Sequence, residues 1–269
     1  MKTRRQRRWV KRYRKDLADS RATVNLPDGG GPTNYHKKTN DLKQRAVNVS
    51  LSCEIFMKFL VLSDAHGVYS HVTQLLYKAG DVDAVCVIGD ITDFGPNILV
   101  NELLSLLGDD VPTLIIPGNC DLPTFVETIE ESTAVNLHLK SFDYDDIKFL
   151  GIGGSNPTPF NTPFELNEAE IHSYVDKLLT EVGETTVLLS HTPPKGFLDE
   201  VDSKHVGSEA ILSAVNVVDV LACGHIHEQR GTLVAGKTAI VNPGMAARGF
   251  GAVVEILPEA EANISLIQG

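Results

Sequence analysis

The chain has 269 residues, 42% of them hydrophobic, long enough for one large domain or two small ones with a sizeable core; one domain is the expectation. The formal net charge of −11 hides two unlike segments, since residues 1–56 carry 14 Lys+Arg against 5 Asp+Glu and residues 57–269 carry 10 against 30. So acidic a remainder repels extended polyanions and disfavours long nucleic acid as its partner; no apolar run approaches membrane-spanning length.

Residues 1–56 combine a Lys/Arg run, Arg4 to Lys15, with a Gly/Pro/Asn stretch around Pro27 to Asn34, the composition of a disordered extension. It reads as a basic arm for RNA or an acidic partner, or as an upstream extension outside the natural product, with Met57 as the true start. The second reading is preferred, because a basic tail carries little specific signal. No apolar h-region follows the basic start. Cys53, Cys86, Cys120 and Cys223 form no C-x-x-C pair, which fits a reducing compartment and a cytoplasmic protein.

At Met57 the pattern changes to short apolar runs alternating with amphipathic ones, which predicts a layered α/β domain over 57–269. Strands are predicted at Phe59–Ser63, Ala84–Ile88, Thr113–Ile116, Ile147–Ile152, Val187–Ser190 and Val218–Ala222. Helices are predicted at Val68–Ala79, Asn97–Leu107, Pro123–Glu131, Asn167–Thr180 and Ser208–Val215, where apolar residues recur at helical spacing. Gly231–Gln268 alternates in short runs between Gly-containing turns and predicts a meander closing a sheet.

Polar residues cluster where these strands end. Asp64-Ala65-His66 follows the first, Gly89-Asp90 the second, Gly118-Asn119-Cys120-Asp121 the third, His191 a later one, and Gly224-His225-Ile226-His227 the next. Singly, each has a plain structural explanation: a cap, an Asx turn, a packed histidine. Seven oxygen and imidazole donors at five strand ends are harder to explain that way, because strand carboxyl ends are where layered α/β folds bind ligands. The donors Asp64, His66, Asp90, Asn119, His191, His225 and His227 are too many for one ion. Without a thiolate among them, they suit two divalent ions of Mn, Fe, Zn, Ni or Co, not Ca or a closed structural Zn.

The motifs DAH, GDITD, GNCD, SH and GHIH closely resemble, in order and spacing, those of the calcineurin-like metallophosphoesterases. The resemblance spans Met57 to about Gly269. Gly153–Glu165 (GGSNPTPFNTPFE) and Val241–Gly244 (VNPG) are most similar to a mostly archaeal branch of phosphoesterases related to bacterial cyclic-nucleotide phosphodiesterases. The resemblance implies a four-layer αββα sandwich flanked by helices. It implies that Asp64, His66, Asp90 and His227 hold one ion and Asp90, Asn119, His191 and His225 the other, with Asp90 as the bridge. A hydroxide shared by the ions would attack a phosphoester in line.

In this family a His commonly follows the Gly-Asn and assists the leaving group; here Cys120 stands in its place, followed by Asp121. Cys120 is therefore a catalytic candidate with Asp121 as its orienter, beside Asn119 and His191, although a thiol is a weaker acid catalyst and a small packed residue is an equal reading. His205 and Ser208 could reach a substrate phosphate, with Ser208 better read as a helix cap. The loop Ser155–Phe164 is placed to set specificity. Arg230 and Arg248 read as solvated surface; His71, His138 and His172 read as non-ligands. The absence of the Arg and His-Glu typical of related protein phosphatases disfavours a protein substrate. The expected function is hydrolysis of a small phosphodiester, perhaps a cyclic nucleotide, with a monoesterase, a nuclease or a non-catalytic scaffold as alternatives.

Overall fold

A computed structural model describes residues 55–269; the expectations for the basic extension fall almost entirely outside the described residues. Two six-stranded sheets face each other. The first is built from β1 (Met57–Leu62), β2 (Ala84–Ile88), β3 (Thr113–Ile116), β4 (Val135–Asn136), β13 (Phe250–Ile256) and β14 (Ala262–Gln268), in the order β14-β13-β1-β2-β3-β4. The second contains β5 (Lys140–Tyr144), β6 (Ile147–Ile152), β7 (Thr185–Ser190), β10 (Val220–Ala222), β11 (Gly231–Ala235) and β12 (Thr238–Asn242), in the order β11-β12-β10-β7-β6-β5. A small hairpin pairs β8 (Glu200–Val201) with β9 (Lys204–His205).

Strands β1 to β4 are parallel, as are β6, β7, β10 and β12. Such strands are covered on both faces, which is why they read as continuous apolar runs. Alternate residues divide the work. Leu60 and Leu62 of β1, Val85 and Val87 of β2 and Ile115 of β3 pack under α1 (Val72–Ala79), α2 (Ile98–Leu107) and α3 (Phe125–Glu131). Leu150 and Ile152 of β6, Leu188 of β7 and Leu221 of β10 pack under α4 (Glu168–Leu179) and α5 (Glu209–Leu212). On the opposite strand faces Phe59 of β1 meets Phe149 of β6 edge to face, with ring centroids 5.6 Å apart. Helix, sheet, sheet, helix is the four-layer αββα order.

Local chemistry sets several boundaries. Asn167 caps α4 through a reciprocal capping box with Glu170. Ser208 caps α5, accepting from the amides of Ala210 and Ile211, so the capping reading holds. The helix expected from Val68 begins only at Val72, because Val68–His71 is spent in turns bonded back to Ala65 and Tyr69. The meander expected over Gly231–Gln268 is corrected. β11 and β12 close one edge of the second sheet, whereas β13 and β14 complete the first; alternation alone cannot tell which sheet a strand joins. Arg230 is likewise not plain solvated surface. It donates to the carbonyls of Pro243 and Ile267 and lies 4.5 Å over the Phe250 ring, tying the segment after His227 to the first sheet. Arg248 is exposed, as expected.

Phe149 is fully buried, and truncating such a ring removes both transfer energy and packing. Phe149→Ala should lower stability by about 3–5 kcal/mol, read from urea denaturation; a loss under about 1 kcal/mol would show that this sheet-to-sheet contact is dispensable.

Candidate metal centre

The strand order brings the expected donors together. The carboxyl ends of neighbouring β1, β2 and β3 carry Asp64 and His66, Asp90, and Asn119, while those of β7 and β10 in the opposing sheet carry His191, and His225 and His227. Backbone bonds splice the loops into one floor: Asp64 N–H donates to Gly89 O, His66 N–H to Asp90 O and Gly224 N–H to His191 O. Across the sheets, His191 Nδ1 lies 2.7 Å from Ile88 O.

One donor atom from each of Asp64, His66, Asp90 and His227 lies within 4.8 Å of the others, and Asp90, His191 and His225 form a second such group. Asp90 belongs to both. Its Oδ1 is 3.4 Å from His191 Nε2, and its Oδ2 is 3.6 Å from His66 Nε2. Asn119 Oδ1 lies 2.9 Å from His191 Nε2, and Asp64 Oδ1 lies 3.2 Å from His227 Nε2. His66 Nε2 and His227 Nε2 face each other at 3.3 Å. Two ring nitrogens so close satisfy each other only if one is protonated and the other is not, whereas a shared cation satisfies both lone pairs. The oxygen and imidazole set fits a dinuclear cluster of divalent ions.

The backbone is bent to make this possible. Asp64, His66, Asp90 and His225 have φ of 55°, 45°, 47° and 66°, a region costly for residues with a Cβ and tolerated where surrounding structure enforces it. Two glycines allow the close approach: a Cβ on Gly118 would sit 2.2 Å from Asp90 Oδ1, and one on Gly224 would sit 1.9 Å from Ser63 Oγ. The glycines in the GN and GH motifs therefore make room for side chains on the neighbouring loop.

Charge is concentrated here. Burial would raise the carboxyl of Asp90, but the charges of His191 and His66 hold it well below the usual carboxylate range. Burial likewise opposes the depression of Asp64, which the bond to His227 and the charge of His191 bring about. Burial would lower His191; Asp90 overcomes it and pushes the imidazole up to about 9. His225 goes the other way, to about 4, through burial and the charge of His191.

A third group, His66, Asp93 and Cys120, adjoins the first. Sequence reasoning quoted Asp93 within GDITD without assigning it a task. Burial and then the charge of Asp90 push the Cys120 thiol up, so it stays protonated. Asp121 has a different task from the expected orienting one. It is fully buried and accepts from the amides of Ile91, Thr92 and Gly118 and from Thr92 Oγ1, which locks the β2 and β3 loops together. The Cys120 sulfur accepts instead from Asn119 Nδ2 at 3.6 Å. His205 is held by Asp199 through Nδ1 at 2.7 Å, His172 pairs with Asp176, and His138 accepts from the Gly153 amide. None of these three joins the metal groups, nor does His71.

Carboxylates and imidazoles gathered at strand ends between two stacked sheets, with one buried carboxylate common to both groups, define a dinuclear metal-binding αββα protein. The profile of the calcineurin-like phosphoesterases matches residues 57–229, and the chain belongs to that family. It is 38% identical over 196 residues to an uncharacterized protein of Methanocaldococcus jannaschii, a match covering 70% of this chain and 88% of that one. It is similar in fold to a protein of Thermus thermophilus (TM-score 0.58, 16% identity, 78% of this chain and 98% of that one) and to a dimetal phosphatase from Danio rerio (TM-score 0.57, 13% identity, 78% and 99%). At those identities the two structures speak for the fold alone. Family and cluster together are consistent with a metal-dependent hydrolase of phosphoesters. Among the described residues, no helix is long and apolar enough to cross a membrane.

A ligand imidazole must be neutral, so the proton that His191 holds up to about pH 9 competes with metal. His191 is raised on folding, from an ordinary 6.5. Its contribution to the stability of metal-free protein is therefore full below about pH 6.5 and lost as pH rises through about 9. Chelator-treated protein should accordingly lose stability across that window, while apparent Mn²⁺ affinity rises across it. Calorimetric titrations at about pH 6.5, 7.5 and 8.5 measure this; an affinity independent of pH would contradict it.

Proposed function

We propose that the protein hydrolyses a small phosphodiester, with a cyclic nucleotide as the first substrate class to test, and that residues 57–269 are the hydrolytic unit. The observation that carries the reading is Asp90, a buried carboxylate facing imidazoles on both oxygens and belonging to both metal groups. In this reading Asp64, His66, Asp90 and His227 hold one ion, and Asp90, Asn119, His191 and His225 hold the other. Bound there, two divalent ions lower the pKa of water from about 16 towards 7 and supply fixed positive charge for phosphoryl oxygens.

The chain's own groups do the rest. Strand-end loops hold the donors rigid before substrate arrives, so little reorganisation accompanies the reaction. Cys120, protonated and next to His66 and Asp93, offers its S–H towards a leaving oxygen, the task of the His at this place in the family. Because a thiol is a poor acid near neutral pH, substrates with good leaving groups gain most. Preference for a diester is supported by the resemblance of residues 153–165 and 241–244 to the branch related to cyclic-nucleotide phosphodiesterases. The free thiols Cys86, Cys120 and Cys223 support a reducing, cytoplasmic setting.

The test is Mn²⁺-dependent hydrolysis of bis-p-nitrophenyl phosphate and p-nitrophenyl phosphate. Wild type should favour the diester in kcat/KM, and Asp90→Asn should fall by at least about 100-fold, since one substitution weakens both ion sites. A chain lacking residues 2–56 should match the full-length rate. If wild type with Mn²⁺ is no faster than Asp90→Asn, the hydrolase reading fails.

A further inference from the structure

The loop between β6 and α4 reaches back to the cluster. Asn119 is only 3% exposed, and its Nδ2 donates to Thr162 Oγ1 at 3.0 Å while its Oδ1 faces His191. Thr162 in turn donates its hydroxyl hydrogen to Glu165 Oε1 at 2.7 Å. The same oxygen accepts from the Thr162 amide at 2.9 Å and from Thr158 Oγ1 at 2.6 Å. The loop backbone is pinned to the same place, with Phe164 N–H donating to Asn119 O and Ser155 N–H to Phe164 O.

The donor and acceptor inventory gives this chain a direction. An ionised carboxylate only accepts, so the Thr162 hydroxyl, having one hydrogen, commits it to Glu165 and offers Asn119 only lone pairs. Asn119 must then turn its N–H₂ to Thr162 and its carbonyl oxygen to the metal donors. An amide oxygen can ligate a cation and an amide nitrogen cannot, so the relay fixes the one orientation of Asn119 that is useful.

The geometry points to Thr162 and Glu165 as positioning residues for the second ion, acting through Asn119. This rests on the two-ion reading of the site. It also gives the Pro- and Asn-rich loop a task besides lining the mouth: the loop's fold holds a ligand in register. Partners of this kind typically change metal affinity by about 10–100-fold when removed.

Thr162→Val keeps the shape of the side chain and deletes the hydroxyl, Thr162→Ser restores the hydroxyl, and Glu165→Gln removes the acceptor-only end. Each is titrated with Mn²⁺ by calorimetry on chelator-treated full-length protein, with Mn²⁺ dependence of diester hydrolysis alongside. Wild type should bind two ions. Thr162→Val and Glu165→Gln should bind the second ion about 10–100-fold more weakly with the first unchanged, and Thr162→Ser should lie within a few-fold of wild type. Two ions bound with wild-type affinities by Thr162→Val would overturn the relay and leave the two-ion site standing. So would Thr162→Ser being as impaired as Thr162→Val, since loop packing and not the hydroxyl would then matter. Fewer than two ions in wild type would instead sink the two-ion reading and this inference with it.

Discussion

Asp90 is buried between imidazoles contributed by two different sheets, His66 from the first and His191 from the second. Taking a carboxylate out of water costs several kcal/mol unless positive charge compensates it. The fold supplies that charge from both sides and thereby couples the two sheets through the cluster. Much of the neighbouring architecture serves the arrangement. Gly118 leaves space for the Asp90 carboxylate, the Cys120 amide donates to its Oδ1 at 2.8 Å, and His191 is steadied by Ile88 O.

The strained backbone belongs to the same account. Left-handed conformations at Asp64, His66, Asp90 and His225 cost roughly 1–3 kcal/mol each, and none lies inside a strand. The apolar layers bear that cost: Leu60 and Leu62 anchor one side of the strand before Asp64, and Leu221 and Cys223 the stretch before His225. Asp121 completes the frame by joining two loops through backbone amides.

The parallel strands were legible because they are covered on both faces and so appear as unbroken apolar runs; the seven donors were legible because each directly follows such a run or sits in a short motif after it. Three things were not legible. β4 and β5 are short or half-exposed edge strands with mixed patterns, so neither periodicity nor composition marks them. The final strands divide between sheets because β13 pairs with β1 from far along the chain, and local alternation holds no record of a distant partner. The task of Asp121 was misread because adjacency in sequence suggested service to Cys120, while the turn aims its carboxylate at the backbone of the neighbouring loop. Thr162 and Glu165 lay within a quoted segment, yet nothing in a Pro-, Thr- and Asn-rich run distinguishes a residue that holds a ligand from one that forms a turn.

The central claim is that one buried carboxylate organises two metal ions. Anomalous diffraction from crystals grown with Mn²⁺ tests it most directly. The account predicts two peaks about 3.5–4 Å apart, one on each side of Asp90. A single peak, or peaks that do not share Asp90, would contradict it.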